Sequence, residues 1–468
     1  MIKYNDIANE ATQLRSAVKI LNQIIFNPRK AYSTYGDAYH EYGHYILSQL
    51  KSTAVLVSSG RYTFKPYHVR TFVRNNKERI LYLAEWQDKF VEKWLADMLN
   101  HALTPIFSNH SYAYRSGRFG LDRCQSLVTA QVRHHKFIIK RDITQFFYSI
   151  PQDAMCDVIA SYVDPTDVLY SLLKQRVKDF ASEKGIISVG LPFGSPLACV
   201  LANLYLTSLD RQMQKLPVKY YRYADDFLIM AKNESDSLNA ANTLDSGILK
   251  LGLTCKPSHH KNTSFIKTDT HEYADRFEYL GLIMSKTGVV SLSTFKQRKI
   301  INCFKRTLKY NARKIRKASD KARLDLIISL AKDTLLTRIR SAAVIDYYLK
   351  HVTDESQLRL IDMLICQLAL SYYFGRTFRY SMFSKVSYKT LRQKGLPSLV
   401  HRHRLFRHGN LKVSFLDLRN EILIRRHTEM IEARKRKIEG MRMTRKLTSQ
   451  KGVTETVSSD ESQHAKNS

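Results

Sequence analysis

Between Tyr220 and Met230 two short apolar runs, Tyr220–Tyr223 and Phe227–Met230, enclose Ala224-Asp225-Asp226. Apolar runs of this length around a brief polar break read as a tight β-hairpin. Two aspartates in a turn are ordinarily solvated, because aspartate favours turns. Here the apolar flanks would hold the pair at the mouth of a sheet. A second candidate strand, Lys136-Phe-Ile-Ile-Lys-Arg-Asp142, also ends in an acid. An antiparallel sheet built from these segments could gather Asp142, Asp225 and Asp226 at one place.

The rest of the chain reads as helices around that sheet. Apolar residues from Ile80 to Leu103 follow a nearly helical period. Pro151 suits the first position of a helix. Phe277 to Met284 reads as a strand pair. The pattern predicts an α+β fold. From Thr294 the chain turns helical and basic: Ile301, Phe304, Leu308, Ala312 and Ile315 form one apolar stripe, and Lys305, Arg306, Lys309, Arg313, Arg316 and Lys317 lie off it. Between Phe295 and Arg323 there are 12 Lys/Arg against one acid, Asp320. A solvated face is the plain reading of a charge run, but an excess of one sign on one face favours phosphate contacts. Arg402 to Lys446 adds 14 Lys/Arg against five acids, and Thr448 to Ser468 reads as a disordered tail.

Charge narrows the partners. The chain has 468 residues and a formal net charge of +33, which calls for nucleic acid or an anionic membrane. No run approaches the ~20 apolar residues of a spanning helix, so no membrane partner is expected. The polar N-terminus does not read as a secretory signal, so none is expected. Six widely spaced cysteines, with no C-x-x-C pair, fit a reducing, cytoplasmic setting. The 16 histidines lack metal-ligand partners in sequence.

Three carboxylates at a sheet mouth suit hard cations. Mg²⁺ takes oxygen ligands and bridges to substrate phosphates. Two such ions ~4 Å apart would activate an attacking hydroxyl and stabilise a leaving oxygen. The residues thus point to metal-dependent phosphoryl or nucleotidyl transfer.

At this level the chain resembles bacterial reverse transcriptases, of the superfamily that includes group II intron and retron enzymes. Asp142-Ile-Thr-Gln-Phe-Phe147 resembles the first palm motif. Gly190-Leu-Pro-Phe-Gly-Ser-Pro-Leu197, followed by Leu201-Ala-Asn-Leu-Tyr205, resembles the second, and Tyr223-Ala-Asp-Asp226 the third. Leu251-Gly-Leu253 with Lys261, Phe277-Glu-Tyr-Leu-Gly281, Asn76-Lys-Glu-Arg79 and Ser111-Tyr-Ala-Tyr-Arg-Ser-Gly-Arg118 are similar to further blocks. Their order over about residues 60 to 285 carries the resemblance.

The resemblance implies a right-hand polymerase. Residues 1–136 would form the N-terminal region and fingers, and 137–290 the palm, with a fingers segment at 151–190. A helical thumb would follow at 291–400, a basic extension at 401–447 and the tail at 448–468. Asp142, Asp225 and Asp226 would hold two Mg²⁺ ions. Lys77, Arg79, Phe147, Phe193 and Lys261 would meet the incoming dNTP, Arg79 through its guanidinium fork and Lys261 as a general acid. Phe147, five residues after Asp142, would block a ribose 2′-OH; the plain alternative is a core aromatic. Phe193 stands where most of the family has Gln, and a ring there could stack on a base. The six thumb cations would track a nucleic-acid duplex.

No nuclease block is visible, and the second motif differs from those of diversity-generating enzymes. By elimination the chain is most similar to the unclassified and defense-associated group. That implies a noncoding RNA as template or scaffold, a DNA product and a role against phage, with a homo-oligomer left open. Template-independent or protein-primed DNA synthesis is the first alternative. A non-catalytic RNA-binding effector with a polymerase fold is the second.

Overall fold

The computed structural model describes residues 1–25, 39–74, 77–115, 117–180, 188–257, 265–267, 276–337 and 348–409. It divides into two compact units, Met1–Lys299 with Tyr347–Met363 and Ile300–Asp346 with Leu364–Ser468.

The first unit is built on apolar strands that pair in antiparallel register. β1 (His68–Arg74) and β2 (Lys77–Leu83) form a hairpin. β3 (Phe137–Asp142), β4 (Lys219–Tyr223), β5 (Asp226–Ala231) and β6 (Phe265–Lys267) form a sheet in the order β4-β5-β3-β6. β7 (Arg276–Tyr279), β8 (Leu282–Ser285) and β9 (Val290–Leu292) form a third sheet. The β7–β8 turn places both Leu280 and Gly281 at positive φ, 50° and 81°, as the right-handed twist of a two-residue hairpin requires.

Side chains alternate across a strand, so the central sheet has two different faces. Ile139, Tyr220, Phe227 and Ile229 enter the main core beside Leu201, Leu204, Leu244 and Ile248. These last four come from the helices Pro196–Tyr205 and Glu234–Lys250. On the same face Arg141 forks onto Asp245 through Nε and Nη2 at 2.9 and 3.2 Å. The opposite face carries Lys140, Asp142 and Asp226.

One expectation is corrected. The apolar run from Ile80 is not helical throughout: Ile80–Leu83 belongs to β2, and the helix spans Trp86–Ala102. Phe90, Val91, Trp94, Leu95, Met98 and Leu99 supply its buried stripe. Ile80–Leu83 instead pair with Thr71–His68. Four residues make barely one helical turn, too few for periodicity to separate helix from strand.

The segments before that helix are fastened by buried charge. Arg176 and Glu92 are each 1 % exposed, with Nε 2.6 Å from Oε1. Tyr67 donates to the same oxygen at 2.6 Å, and the guanidinium lies 3.6 Å from the Tyr67 ring centroid. Arg176 Nη1 donates to Lys65 O at 3.0 Å.

The second unit is helical. Within it Phe304, Leu308 and Ile315 are buried and Ala312 is half-buried, as the apolar stripe predicts. The stripe bends between two helices, Thr294–Tyr310 and Ala312–Lys317, at Asn311. Arg323 secures the next turn, donating to Ile315 O, Ala318 O and Tyr373 O. It is therefore not available as a surface cation. Residues from 410 on, with most of the expected basic extension, lie outside the described part. Among the described residues no helix is long and apolar enough to cross a membrane.

Removing one partner of a buried ion pair strands the other. Arg176→Met should therefore lower stability by about 3–5 kcal/mol, read from the urea midpoint. The double variant Arg176→Met/Glu92→Leu should recover much of that loss. A single variant of unaltered stability would show that the pair does not fasten the fold.

Candidate active site

The β3–β5 ladder ends on the pair Asp142↔Asp226. Directly opposed residues in such a ladder project to the same face, with Cβ atoms ~5 Å apart. The β4–β5 hairpin closes on Tyr223↔Asp226, which leaves only Ala224 and Asp225 in the turn. The two acids thus differ in footing. The sequence suggests a turn holding both, whereas Asp226 is the first residue of β5 and is fixed opposite Asp142. Asp225 sits in the adjoining turn, after Ala224 at φ 61°, a left-handed conformation that non-glycine residues rarely adopt.

Two lysines answer these carboxylates. Asp142 is 8 % exposed, and its Oδ2 lies 2.5 Å from Lys256 Nζ. The backbone brings them together: Lys256 N donates to Asp142 O at 2.9 Å, beside an Ile143–Cys255 bridge. Lys140 shares the face of Asp142, two residues earlier. It is buried, donates to Glu278 O at 2.9 Å, and stands 3.9 Å from Asp226 Oδ1. Tyr279 donates to Asp226 O at 3.3 Å.

Even so, the charges remain frustrated. Burial pushes the Asp226 carboxyl up to about 7; Lys140 pulls it down, and Asp142 and Asp225 push it further up. Burial, then Asp142, raises Asp225 to about 6, against the pull of Lys256 and Arg222.

Beside the carboxylates lies an aromatic wall. Phe146 and Phe147 both point inward, because they sit on a short helix, Phe146–Ser149, rather than on an alternating strand. The Phe147 ring is 5.7 Å from Phe193 and 6.4 Å from Tyr114, centroid to centroid. Tyr148 stacks obliquely on Phe193 at 6.2 Å and donates to Ile80 O at 2.8 Å. The loop bearing Phe193 is pinned by Leu191 N on Phe147 O at 2.6 Å. Ser195 then caps the helix that starts at Pro196, its Oγ accepting from Leu197 N at 3.2 Å.

Lys77 and Arg79 belong to β2 by backbone, but their side chains lie outside the described part, as does Lys261. Lys305, Arg306, Lys309, Arg313, Arg316 and Lys317 are all exposed in their own unit. Sequence reasoning missed Lys140, Lys256 and Tyr114. A lysine inside an apolar strand was a legible anomaly at 140; Lys256 sits in a loop and gave no signal. Tyr114, at φ 59°, lies in the Ser111–Arg118 block, where nothing in the local pattern marks it apart from its neighbours.

Carboxylate oxygens are the donors that Mg²⁺ prefers, and Asp226 Oδ1 is buried without a hydrogen bond. The donor chemistry therefore fits a hard divalent cation. The spacing does not yet close around one: among the described residues no three His, Cys, Asp or Glu side chains enclose an ion position. Lys256 stands on Asp142 and Lys140 beside Asp226 instead.

The raised carboxyls carry a stability prediction. An unfolded Asp226 ionises near the usual 3.8, whereas the folded one stays protonated until about 7. The fold is thus progressively destabilised as pH rises between those values, and fully so above them. Asp226→Asn should raise Tm in EDTA by a few degrees at pH 8 and by clearly less at pH 5. Equal shifts at both pH values would refute this electrostatic account.

Comparisons with known proteins bear on the same region. Residues 69–284, just under half of the chain, match the family "Reverse transcriptase (RNA-dependent DNA polymerase)". The chain is similar to the "Uncharacterized 91 kDa protein in cob intron" of Schizosaccharomyces pombe, at 27% identity over 31% of this chain and 18% of that one. It is also similar to the "Putative COX1/OXI3 intron 2 protein" of Saccharomyces cerevisiae, at 24% identity over 29% and 16%. It therefore spans less than a fifth of these relatives. Among solved structures, apo telomerase from Candida tropicalis aligns at 13% identity with a TM-score of 0.42, over 79% of this chain and 65% of that one. Residues 69–284, the stretch that matches the reverse transcriptase family, hold Asp142, Asp225 and Asp226.

Proposed function

We propose that the whole chain is an RNA-directed DNA polymerase in which Asp142, Asp225 and Asp226 hold two Mg²⁺ ions. The observation that carries this reading is the opposition of Asp142 and Asp226 across the β3–β5 ladder, with Asp225 in the adjoining turn. When bound, the ions would activate the primer hydroxyl and stabilise the departing pyrophosphate oxygen. The protein side of the chemistry is positional. The ladder fixes two carboxylates, the turn presents the third, and the aromatic wall of Phe147, Phe193 and Tyr114 gives the sugar and base an apolar boundary. Lys77, Arg79 and Lys261 are proposed to meet the triphosphate. The exposed cations from Lys305 to Lys317 are proposed to contact the phosphates of the RNA–DNA duplex.

The assay uses purified protein with its co-purifying RNA, Mg²⁺, and labelled dNTPs or NTPs. Incorporation of dNTPs by the unaltered chain, and none by Asp225→Ala/Asp226→Ala, is the expected result. Incorporation that persists in the variant would sink the reading. Phe147→Ala should raise ribonucleotide over deoxynucleotide incorporation by roughly tenfold or more, the scale on which a pocket distinguishes small groups. An unchanged ratio would make Phe147 a core residue and nothing else.

The narrower reading is that the template is a dedicated noncoding RNA and that the DNA serves bacterial anti-phage defense. The support is the residue pattern of the second motif, Gly190–Leu197. A second reading, template-independent synthesis, is favoured by Phe193: its ring packs against Phe147 and Tyr148, where a stacked base needs no sequence. Sequencing the DNA product against the bound RNA separates the two.

A further inference from the structure

Beneath the turn that carries Asp225 lies a buried cation. Arg222 in β4 is fully buried on the helix-covered face of the sheet, across from Phe227. Its Nε and Nη2 donate to Asp210 Oδ1 and Oδ2 at 2.7 and 2.6 Å. Its Nη1 donates to Asn203 Oδ1 and to Ala224 O, each at 3.0 Å. Asp210 is fully buried as well and accepts from Tyr220 Oη at 2.7 Å. Asn203 Nδ2 in turn donates to Ala113 O at 2.8 Å, next to Tyr114. The backbone of Arg222 is fixed too: its N donates to His110 O at 2.8 Å, and its O accepts from Tyr112 N at 2.9 Å.

Stability alone does not account for this arrangement. A buried ion pair can often be exchanged for apolar residues of similar volume without loss. An apolar side chain could not donate to Ala224 O. That carbonyl belongs to the one turn residue held at positive φ, φ 61°, a strained conformation that persists only where surroundings over-determine it. Asp225 follows immediately. The bidentate fork on Asp210 fixes the guanidinium plane, and this plane fixes the carbonyl.

We propose that Arg222, oriented by Asp210 and Asn203, is a positioning residue that locks the Ala224-Asp225 turn, so that the Asp225 carboxylate is presented to a divalent cation. This rests on the metal-binding reading above and adds to it a residue that touches neither metal nor substrate. Arg222 works from the far face of the sheet. Lysine cannot replace it, because an ammonium group lacks the planar fork that reaches Asp210 and Ala224 O together.

The test uses the full-length chain with Mn²⁺ as the probe, free Mn²⁺ being counted by its electron paramagnetic resonance signal. Circular dichroism and Tm report the fold. Folded Arg222→Lys should bind Mn²⁺ roughly tenfold more weakly, the scale of one lost hydrogen bond to a charged group. The Mg²⁺ concentration for half-maximal incorporation should rise in parallel, with most of kcat recovered at saturating Mg²⁺. Asp210→Asn, which keeps shape but loosens the fork, should shift both readouts the same way. A folded Arg222→Lys with unaltered Mn²⁺ affinity would overturn the proposal. So would failure of both variants to fold, which would make the network a core strut. Asp225→Asn separates the two levels. If it binds Mn²⁺ as tightly as the unaltered chain, the metal reading itself falls; if it weakens binding while Arg222→Lys does not, only the role of Arg222 falls.

Discussion

Mutual repulsion of carboxylates is the constraint around which this domain is arranged. Asp142 and Asp226 oppose each other at the end of a ladder, and Asp225 immediately precedes Asp226 in the turn. Away from water such charges repel strongly, because little dielectric remains to screen them. Left to themselves they would splay the strands or stay protonated. The ladder prevents the first: six consecutive pairs from Phe137↔Ala231 to Asp142↔Asp226 tie β3 to β5, and the apolar face of that sheet is buried against two helices. The second is only partly prevented, as the raised Asp225 and Asp226 carboxyls record. A site that is electrostatically unfavourable by itself is one that gains by binding cations, which is what the proposed two-metal chemistry would supply.

The two faces of the central sheet divide the work. The helix-covered face supplies cohesion and the Arg222 network; the other supplies carboxylates and lysines. Because residues two apart share a face, Lys140 follows Asp142 to the reactive side, while Arg141 forks onto Asp245 on the structural side. The same alternation separates Tyr223 from Arg222 in β4. A slip of one residue in the β4–β5 register would exchange these roles. The two-residue turn that forbids such a slip is the turn that presents Asp225.

What the sequence disclosed follows from what local patterns encode. Asp142 and the hairpin were legible because apolar runs ending in acids stand out against their neighbours. The strand pair from Phe277 and the buried stripe of Phe304, Leu308 and Ile315 were legible for the same reason. Ile80–Leu83 was misread because a helical period extended over it by accident, and only pairing with β1 decides its state. Phe146 and Phe147 both turn inward because their segment is a short helix, a state that so short a segment does not announce. Lys256 and the Asp210–Arg222 pair could not be found by pattern. Their partners are distant in sequence, and a charged residue in an apolar strand announces an anomaly without naming what it meets.

The cations behind the surplus of +33 therefore stand in two separate physical situations. Exposed cations act through a screened field that decays over ~8–10 Å at physiological salt, so a general excess does little for a buried carboxylate. Compensation there has to be local, and Lys140 and Lys256 provide it from β3 itself and from the segment bridged to its end. The exposed residues from Lys305 to Lys317 are under the opposite condition. Few acids lie near them in sequence, and their side chains are exposed to solvent. A lysine that serves the buried site is thus spent on its carboxylate, and it is the solvated excess that a nucleic-acid partner would feel as a salt-dependent attraction.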